Sequence, residues 1–324
     1  MNWYRVELHT HTIASDGQMD PEELAVRSKI RNYDAIVLTD HNTTSYVPQT
    51  IAAGKDNNVL VIPGIEWTTF WGHIVITGGK SIIDWRSVNL ENIDEKLAQV
   101  KKSGDLVTIA HPKRLGTPFC SECRFLYKLN DWSNVDAYEV WSHYDPHIRE
   151  ESQKAKKEWS NLINQGYKIT PVYGYDWHAP DIDGPAYAYT YVGMEGEITQ
   201  GKILEGIKAG RVYVTMGVNI IATFEQGGKE YNLGDTLSKG EATLHMQAHV
   251  SSDYKRCFDV EIKGLRIYKD GKMFLAKKWE GEDVSIPLAL DSKNLRVELY
   301  GTVDGQDCDL AILSPIYIDE DKNI

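Results

Sequence analysis

The sequence predicts an α/β unit of parallel βα repeats over residues 1–217, followed by a small all-β sandwich over residues 218–324. Three observations carry that expectation. At 324 residues the chain exceeds what one hydrophobic core usually supports, so a large domain with a smaller companion is expected. Up to about residue 216, short apolar runs alternate with helical patterns, the signature of a parallel sheet, open or closed into a barrel. After Gly217 the helical faces stop, and period-two segments broken by turn dipeptides take over.

The strand-like runs cover residues 4–8, 35–39, 60–65, 74–77, 106–110, 136–140, 168–173 and 188–192. Helix signals sit between several of them. Asp20-Pro21-Glu22-Glu23 supplies an N-cap, a proline at the first helical position and an acid three residues on. Ile93, Leu97 and Val100 place one apolar face at i, i+4 and i+7. Thr199 caps a helix carrying Ile203, Leu204 and Ile207, with Gly210 placed to end it. Beyond residue 217, segments 243–250, 264–268 and 295–299 alternate, and Gly227-Gly228, Asp270-Gly271 and Asp304-Gly305 read as hairpin turns.

Composition narrows the function. With 42% hydrophobic and 25% charged residues the chain is an ordinary globular one. No apolar run is long enough to cross a bilayer and no secretory leader is evident, so neither a membrane partner nor export is expected. The net charge of −12 opposes a surface that coats nucleic acid, which is not expected as a partner. Cys120 and Cys123 form a C-x-x-C without a second pair, and Cys257 and Cys308 stand alone. All four read as reduced thiols, as expected in the cytoplasm. Charge is shared evenly: 22 basic against 28 acidic residues up to 217, and 13 against 19 after it. Histidine is not shared, since eight of the ten lie before residue 217.

Those histidines follow strands. The first strand ends in Glu7-Leu8-His9-Thr10-His11, then Ser15-Asp16-Gly17; the second ends in Thr39-Asp40-His41-Asn42. The third ends in Gly64-Ile65-Glu66, and Gly72-His73 opens the fourth. The fifth ends in Ala110-His111-Pro112, the sixth in Tyr138-Glu139-Val140, the seventh in Gly174-Tyr175-Asp176-Trp177-His178. In a parallel βα sheet these ends share one face, so the side chains converge. Imidazoles and carboxylates without thiolate suit zinc, manganese or iron. Alternation along a strand puts both imidazoles of an H-x-H on one side, and Asp176 and His178 repeat the pattern. Taken singly, each histidine could be an ordinary loop residue; their joint placement points to metal.

In order, these motifs resemble the PHP (polymerase and histidinol phosphatase) metallohydrolases over roughly residues 5–217. Gly210-Arg211-Val212-Tyr213-Val214-Thr215, continuing into a β unit, resembles the CehA/McbA-like branch. The resemblance implies a distorted (β/α)7 barrel with two or three divalent ions, Zn, Mn or Fe, at its C-terminal face. It implies one ion on His9, His11, Glu66 and Asp176, and a second reached by Glu66 and completed by His73 and His111. Asp16, His41 and His178 are implied for a third. Asp40 and Glu139 are expected behind the ligands, with Asp40 orienting an imidazole and Glu139 in a supporting or ligating role.

A hydroxide shared by two ions is nucleophilic near neutral pH, because a bound metal lowers the pKa of water to roughly 7. Asp16, His41 or His178 then protonates the leaving group, provided the third set holds no ion. Lys113 and Arg114 offer a phosphate contact or a solvated pair; Trp177, like Trp67, Trp71 and Trp141, offers a pocket wall or core; His143 offers a substrate contact or a plain loop residue, as does His147. The expected function is a metal-dependent phosphoesterase acting on a small phosphate ester. A carbamate, ester or amide hydrolase is the alternative, and a glycan- or peptide-binding sandwich a third reading.

Overall fold

The computed structural model describes residues 1–81, 83–115, 124–180, 184–281 and 283–323, so Cys120 and Cys123 lie outside the described residues. The first part runs β1 (Asn2–Thr10), α1 (Pro21–Ile30), β2 (Ala35–Leu38), α2 (Val47–Asp56), β3 (Leu60–Thr69), β4 (Gly72–Thr77), α3 (Ile93–Ser103), β5 (Leu106–Ile109), β6 (Ala137–Ser142), α4 (Glu150–Asn164), β7 (Thr170–Gly174), β8 (Tyr189–Met194), α5 (Gln200–Lys208) and β9 (Val212–Thr215). Each expected strand is present. Asp20 caps α1 by accepting the Glu23 N–H at 2.8 Å, with Pro21 in the first turn, and Thr199 caps α5.

The alternation is less regular than expected. β1, β2 and β3 are parallel neighbours, and so are β5, β6 and β7. Between the two runs the chain reverses, with β4 antiparallel to both β3 and β5. Only Phe70 and Trp71 join β3 to β4, too few residues for the crossover that parallel strands require. β8 also runs antiparallel to β1. The result is a mixed α/β structure, rich in strands and sparing in helices.

One consequence decides where the chemistry sits. Because β4 is reversed, His73 at its start lies at the same edge as the last residues of β3. β7 closes on β1 without a regular ladder: Thr10 and Trp177 bridge, Trp177 N–H donates to His9 O at 3.0 Å, and His11 N–H donates to Trp177 O at 2.9 Å. Apolar residues such as Val6, Val37, Ile62 and Val172 pack with Ile203 and Ile207 of α5. Gln200 and Lys208 tie that helix to the carbonyls of Gly78 and Gly104.

Among the described residues beyond 217 every regular element is a strand apart from one short 3-10 turn: β10 (Val218–Gln226), β11 (Lys229–Asn232), β12 (Thr236–Val250), β13 (Val260–Lys269), β14 (Lys272–Lys278), β15 (Asp283–Leu290), β16 (Asn294–Val303), β17 (Gln306–Leu313) and β18 (Ile316–Asn323). β11, β10, β12 and β15 form one antiparallel sheet. β14, β13, β16 and β17 form a second, which β9 extends through the pairs Ala311–Thr215, Ile312–Val214 and Leu313–Tyr213. β12 serves both, pairing with β18 over its first residues and with β10 and β15 further on. Gly227-Gly228, Asp270-Gly271 and Asp304-Gly305 all have positive φ at both positions, the turn geometry that follows the twist of a hairpin.

Candidate metal centre

Glu66 is the hub. Its Oε1 lies 2.8 Å from His73 Nδ1 and 3.1 Å from His111 Nε2. Its Oε2 lies 2.8 Å from His41 Nδ1, 3.2 Å from His9 Nε2 and 3.4 Å from His11 Nε2. One fully buried carboxylate thus meets five imidazoles from four chain segments. Asp176 stands opposite, 3.1 Å from His11 Nε2 and 3.4 Å from His9 Nε2. Asp16 reaches His178 Nε2 at 3.1 Å and His41 Nε2 at 3.4 Å. The His11 and His178 rings stack with centroids 4.0 Å apart.

Three groups place one ligand atom per residue within 4.8 Å of one another: His9, His11, Glu66 and Asp176; His11, Asp16, His41 and His178; and His41, Glu66 and His73. The first matches the expected set. The second matches the expected third set with His11 added. In the last, His41 stands with Glu66 and His73 where His111 was expected, although His111 still touches Glu66. The donors suit a divalent cation. His11 Nδ1, His73 Nε2 and His111 Nδ1 are buried without a hydrogen-bond partner, an arrangement costly unless a further group satisfies them. Hard and borderline N/O donors of this kind fit zinc, manganese or iron.

Electrostatics agree with a cation-binding cage. Burial raises the carboxyl groups of Glu66 and Asp176, but the imidazoles around them prevail and hold both well below the usual carboxylate range. Burial pulls His11 down to about 3, with His178 adding to the effect against Asp176. His41 is lowered by burial but raised more by Asp16 and Glu66, to about 10. His9 likewise rises despite burial, through Glu66, Glu139 and Asp176. Ionised carboxylates beside raised imidazoles such as His9 and His41 mark places where a metal ion would displace protons.

The supporting residues sort themselves by contact. Glu139 Oε1 lies 2.7 Å from His9 Nδ1, and its Oε2 accepts the His111 N–H at 2.6 Å. A Cβ on Gly174 would collide with that carboxylate and come within 3.1 Å of the His9 Cβ, so the glycine makes room for the pair. Asp40 differs from the expectation: among the described residues its hydrogen bonds run to the turn after His11. It accepts from the Thr12 N–H and hydroxyl, both at 2.7 Å, and from the Ser15 hydroxyl at 2.9 Å, fixing the turn after His11. The Thr68 hydroxyl meets His41 Nδ1. Non-glycine residues with positive φ gather here: Asn42, His111, His143 and Asp176.

The substrate-facing expectations divide. Arg114 pairs with Asp176, at the edge of the centre. His143 sits near it, lowered to about 4 by burial and then by the Arg114 charge. Lys113 turns away to Glu158 on α4. Trp177 is 1% exposed, donates its indole N–H to Ala179 O and packs under the Arg31 guanidinium, so it belongs to the core and not to a pocket wall. Trp67 and Trp141 are buried as well.

One residue escaped the sequence reading. Glu7 is fully buried, accepting N–H groups from His9 at 3.0 Å and Tyr175 at 2.8 Å and the Tyr33 hydroxyl at 2.9 Å. Burial pushes its carboxyl up to about 7. Its position two residues before His9, on the same side of the strand, was the available signal.

The fold and this site define a class: a domain whose strand ends bring together His, Asp and Glu side chains that could hold metal. Residues 7–164 match the PHP domain family. The chain is 33% identical over 67 residues to a 5'-3' exoribonuclease of Haemophilus influenzae, covering 21% of this chain and 24% of that protein. It is 32% identical over 77 residues to a 3',5'-nucleoside bisphosphate phosphatase of Chromobacterium violaceum, covering 22% and 27%. The chain thus spans about a quarter of the length of these relatives. A two-domain protein of Bacteroides vulgatus, described as containing a predicted PHP-like metal-dependent phosphoesterase, shares the fold. Its TM-score is 0.54 at 14% identity, over 97% of this chain and 95% of that one.

Proposed function

We propose that the protein is a metal-dependent phosphoesterase acting on a small phosphate ester. The observation that carries this is Glu66, a buried carboxylate shared by five imidazoles, with Asp176 facing two of them. His9, His11, Glu66 and Asp176 would hold one ion, Glu66 with His73, His111 and His41 a second, and Asp16, His41 and His178 a third. Bound there, Zn, Mn or Fe ions supply Lewis acidity and a nucleophile at neutral pH.

The chain's own residues do the rest. Asp16 is 59% exposed, with His178 at 28% and His41 at 20%, whereas the other ligands are buried. That exposed trio faces arriving substrate, and when it binds no ion, His41 or His178 donates a proton to the leaving oxygen. Arg114, now on Asp176, is within reach to pair with a phosphoryl oxygen. We further read residues 1–217 as a distorted (β/α)7 barrel of the CehA/McbA-like branch and residues 218–324 as an accessory β-sandwich. The relatives act on nucleotides and on RNA, so polynucleotide ends belong in the test beside small esters.

The test is a panel of aryl phosphate, nucleoside bisphosphate, short RNA and aryl carbamate, with added Mn²⁺ or Zn²⁺. Phosphate release from the small esters, abolished by chelation and lowered at least 100-fold in His9→Ala, is expected. Turnover of the carbamate alone would replace this reading with the carbamate, ester or amide alternative; turnover of RNA alone would make it a nuclease. A protein that holds no metal and turns over nothing would reduce the chain to a binding module.

A further inference from the structure

We propose that Glu7 is a positioning residue for the metal centre, the side chain that closes β7 onto β1 where their backbones do not pair. The inference rests on the metal-centre reading above. β1 and the residue after it deliver His9 and His11, and the segment after β7 delivers Asp176 and His178, yet among the described residues the ladder contact between the two is the single bridge at Thr10 and Trp177. Below that bridge one oxygen of Glu7 accepts both the His9 and the Tyr175 N–H. Each of those amides lies at or next to a ligand. Asp176 itself holds φ at 56°, a left-handed conformation uncommon for a residue with a side chain. The other carboxylate oxygen is anchored by the hydroxyl of the fully buried Tyr33. Glu7 therefore stands in for two missing ladder bonds and sets the separation of His9 from Asp176.

This explains why an acceptor is needed in a fully buried place. An apolar side chain would strand two amides and a hydroxyl away from water. Glutamine should serve nearly as well: its carbonyl accepts both N–H groups, and its NH2 donates to the Tyr33 oxygen once that hydroxyl turns.

The test measures the Mn²⁺ or Zn²⁺ dissociation constant by chelator competition, alongside hydrogen exchange at the His9 and Tyr175 amides. Glu7→Leu is expected to weaken metal binding about 10- to 100-fold, the range for residues that orient ligands, and to speed exchange at both amides. Glu7→Gln is expected to restore both to within about threefold of wild type. Tyr33→Phe, which spares the backbone contacts, guards against a Glu7→Leu chain that does not fold and should weaken metal binding several-fold. Wild-type metal affinity in Glu7→Leu or in Tyr33→Phe, or a Glu7→Gln as impaired as Glu7→Leu, would overturn the assignment. A wild-type protein that takes up no divalent ion would overturn the metal-centre reading and this inference with it.

Discussion

A single methyl group at Gly174 would undo the centre. Its backbone φ is not in the left-handed region, so alanine fits the chain; the conflict is with the Glu139 carboxylate behind His9. Displacing that carboxylate frees the His9 ring and the His111 amide together. Gly174→Ala is therefore expected to lower metal affinity about 10- to 100-fold while leaving circular dichroism unchanged, which elemental analysis after dialysis against a chelator will check. At this scale the sequence was informative where a residue type is itself the chemistry. Histidines at successive strand ends, most beside a carboxylate, could be read without coordinates. Glu7 and Asp40 were not legible in their true roles, because both act on backbone amides, and a carboxylate that binds amides looks like any other. Trp177 was ambiguous for a similar reason: a tryptophan beside a ligand can face either way, and here it faces Arg31.

Among the elements, helices with strong end signals were legible and strand direction was not. Asp20 accepts the Glu23 N–H as its position before Pro21 implied. Asp20→Ala is expected to cost about 1 kcal/mol of unfolding free energy in a urea titration, with metal content unchanged. The reversal at β4 was hidden because apolar runs carry no arrow: Ile74–Thr77 reads alike in either direction. The short Phe70-Trp71 connection held the information, since two residues allow only a hairpin. The turns beyond residue 217 were plain, because Asp-Gly and Gly-Gly supply the positive φ that such hairpins demand.

Across the whole molecule, Arg5 of β1 fastens the first part to the second. Its Nη1 lies 2.5 Å from Asp253 Oδ2, its Nε donates to the Tyr191 hydroxyl at 2.6 Å, and Asn32 adds a bond to the same carboxylate at 3.2 Å. Partial burial raises the Asp253 carboxyl, but the Arg5 bond outweighs it and holds the group down to about 2. An unfolded aspartate titrates near ~3.9, so this stabilisation is complete above that value and fades as pH falls towards 2. Asp253→Asn is expected to be less stable by about 1 kcal/mol at pH 7, allowing for partial solvent screening, and to approach wild type only as pH falls below about 2. Chemical denaturation at a series of pH values will show the convergence. None of this clasp was legible in the sequence, where 248 positions separate its partners.

The three pairs that join β9 to β17 turn the end of the first part into an inner strand of the second. A chain stopped at Gly217 would bare the flank of β9, a row of unpaired amides and carbonyls ready to recruit another strand. The later strands thus shield an edge as well as adding mass. The first part alone would need some other cover for that flank, and any exchange of the second part must bring a replacement for β17.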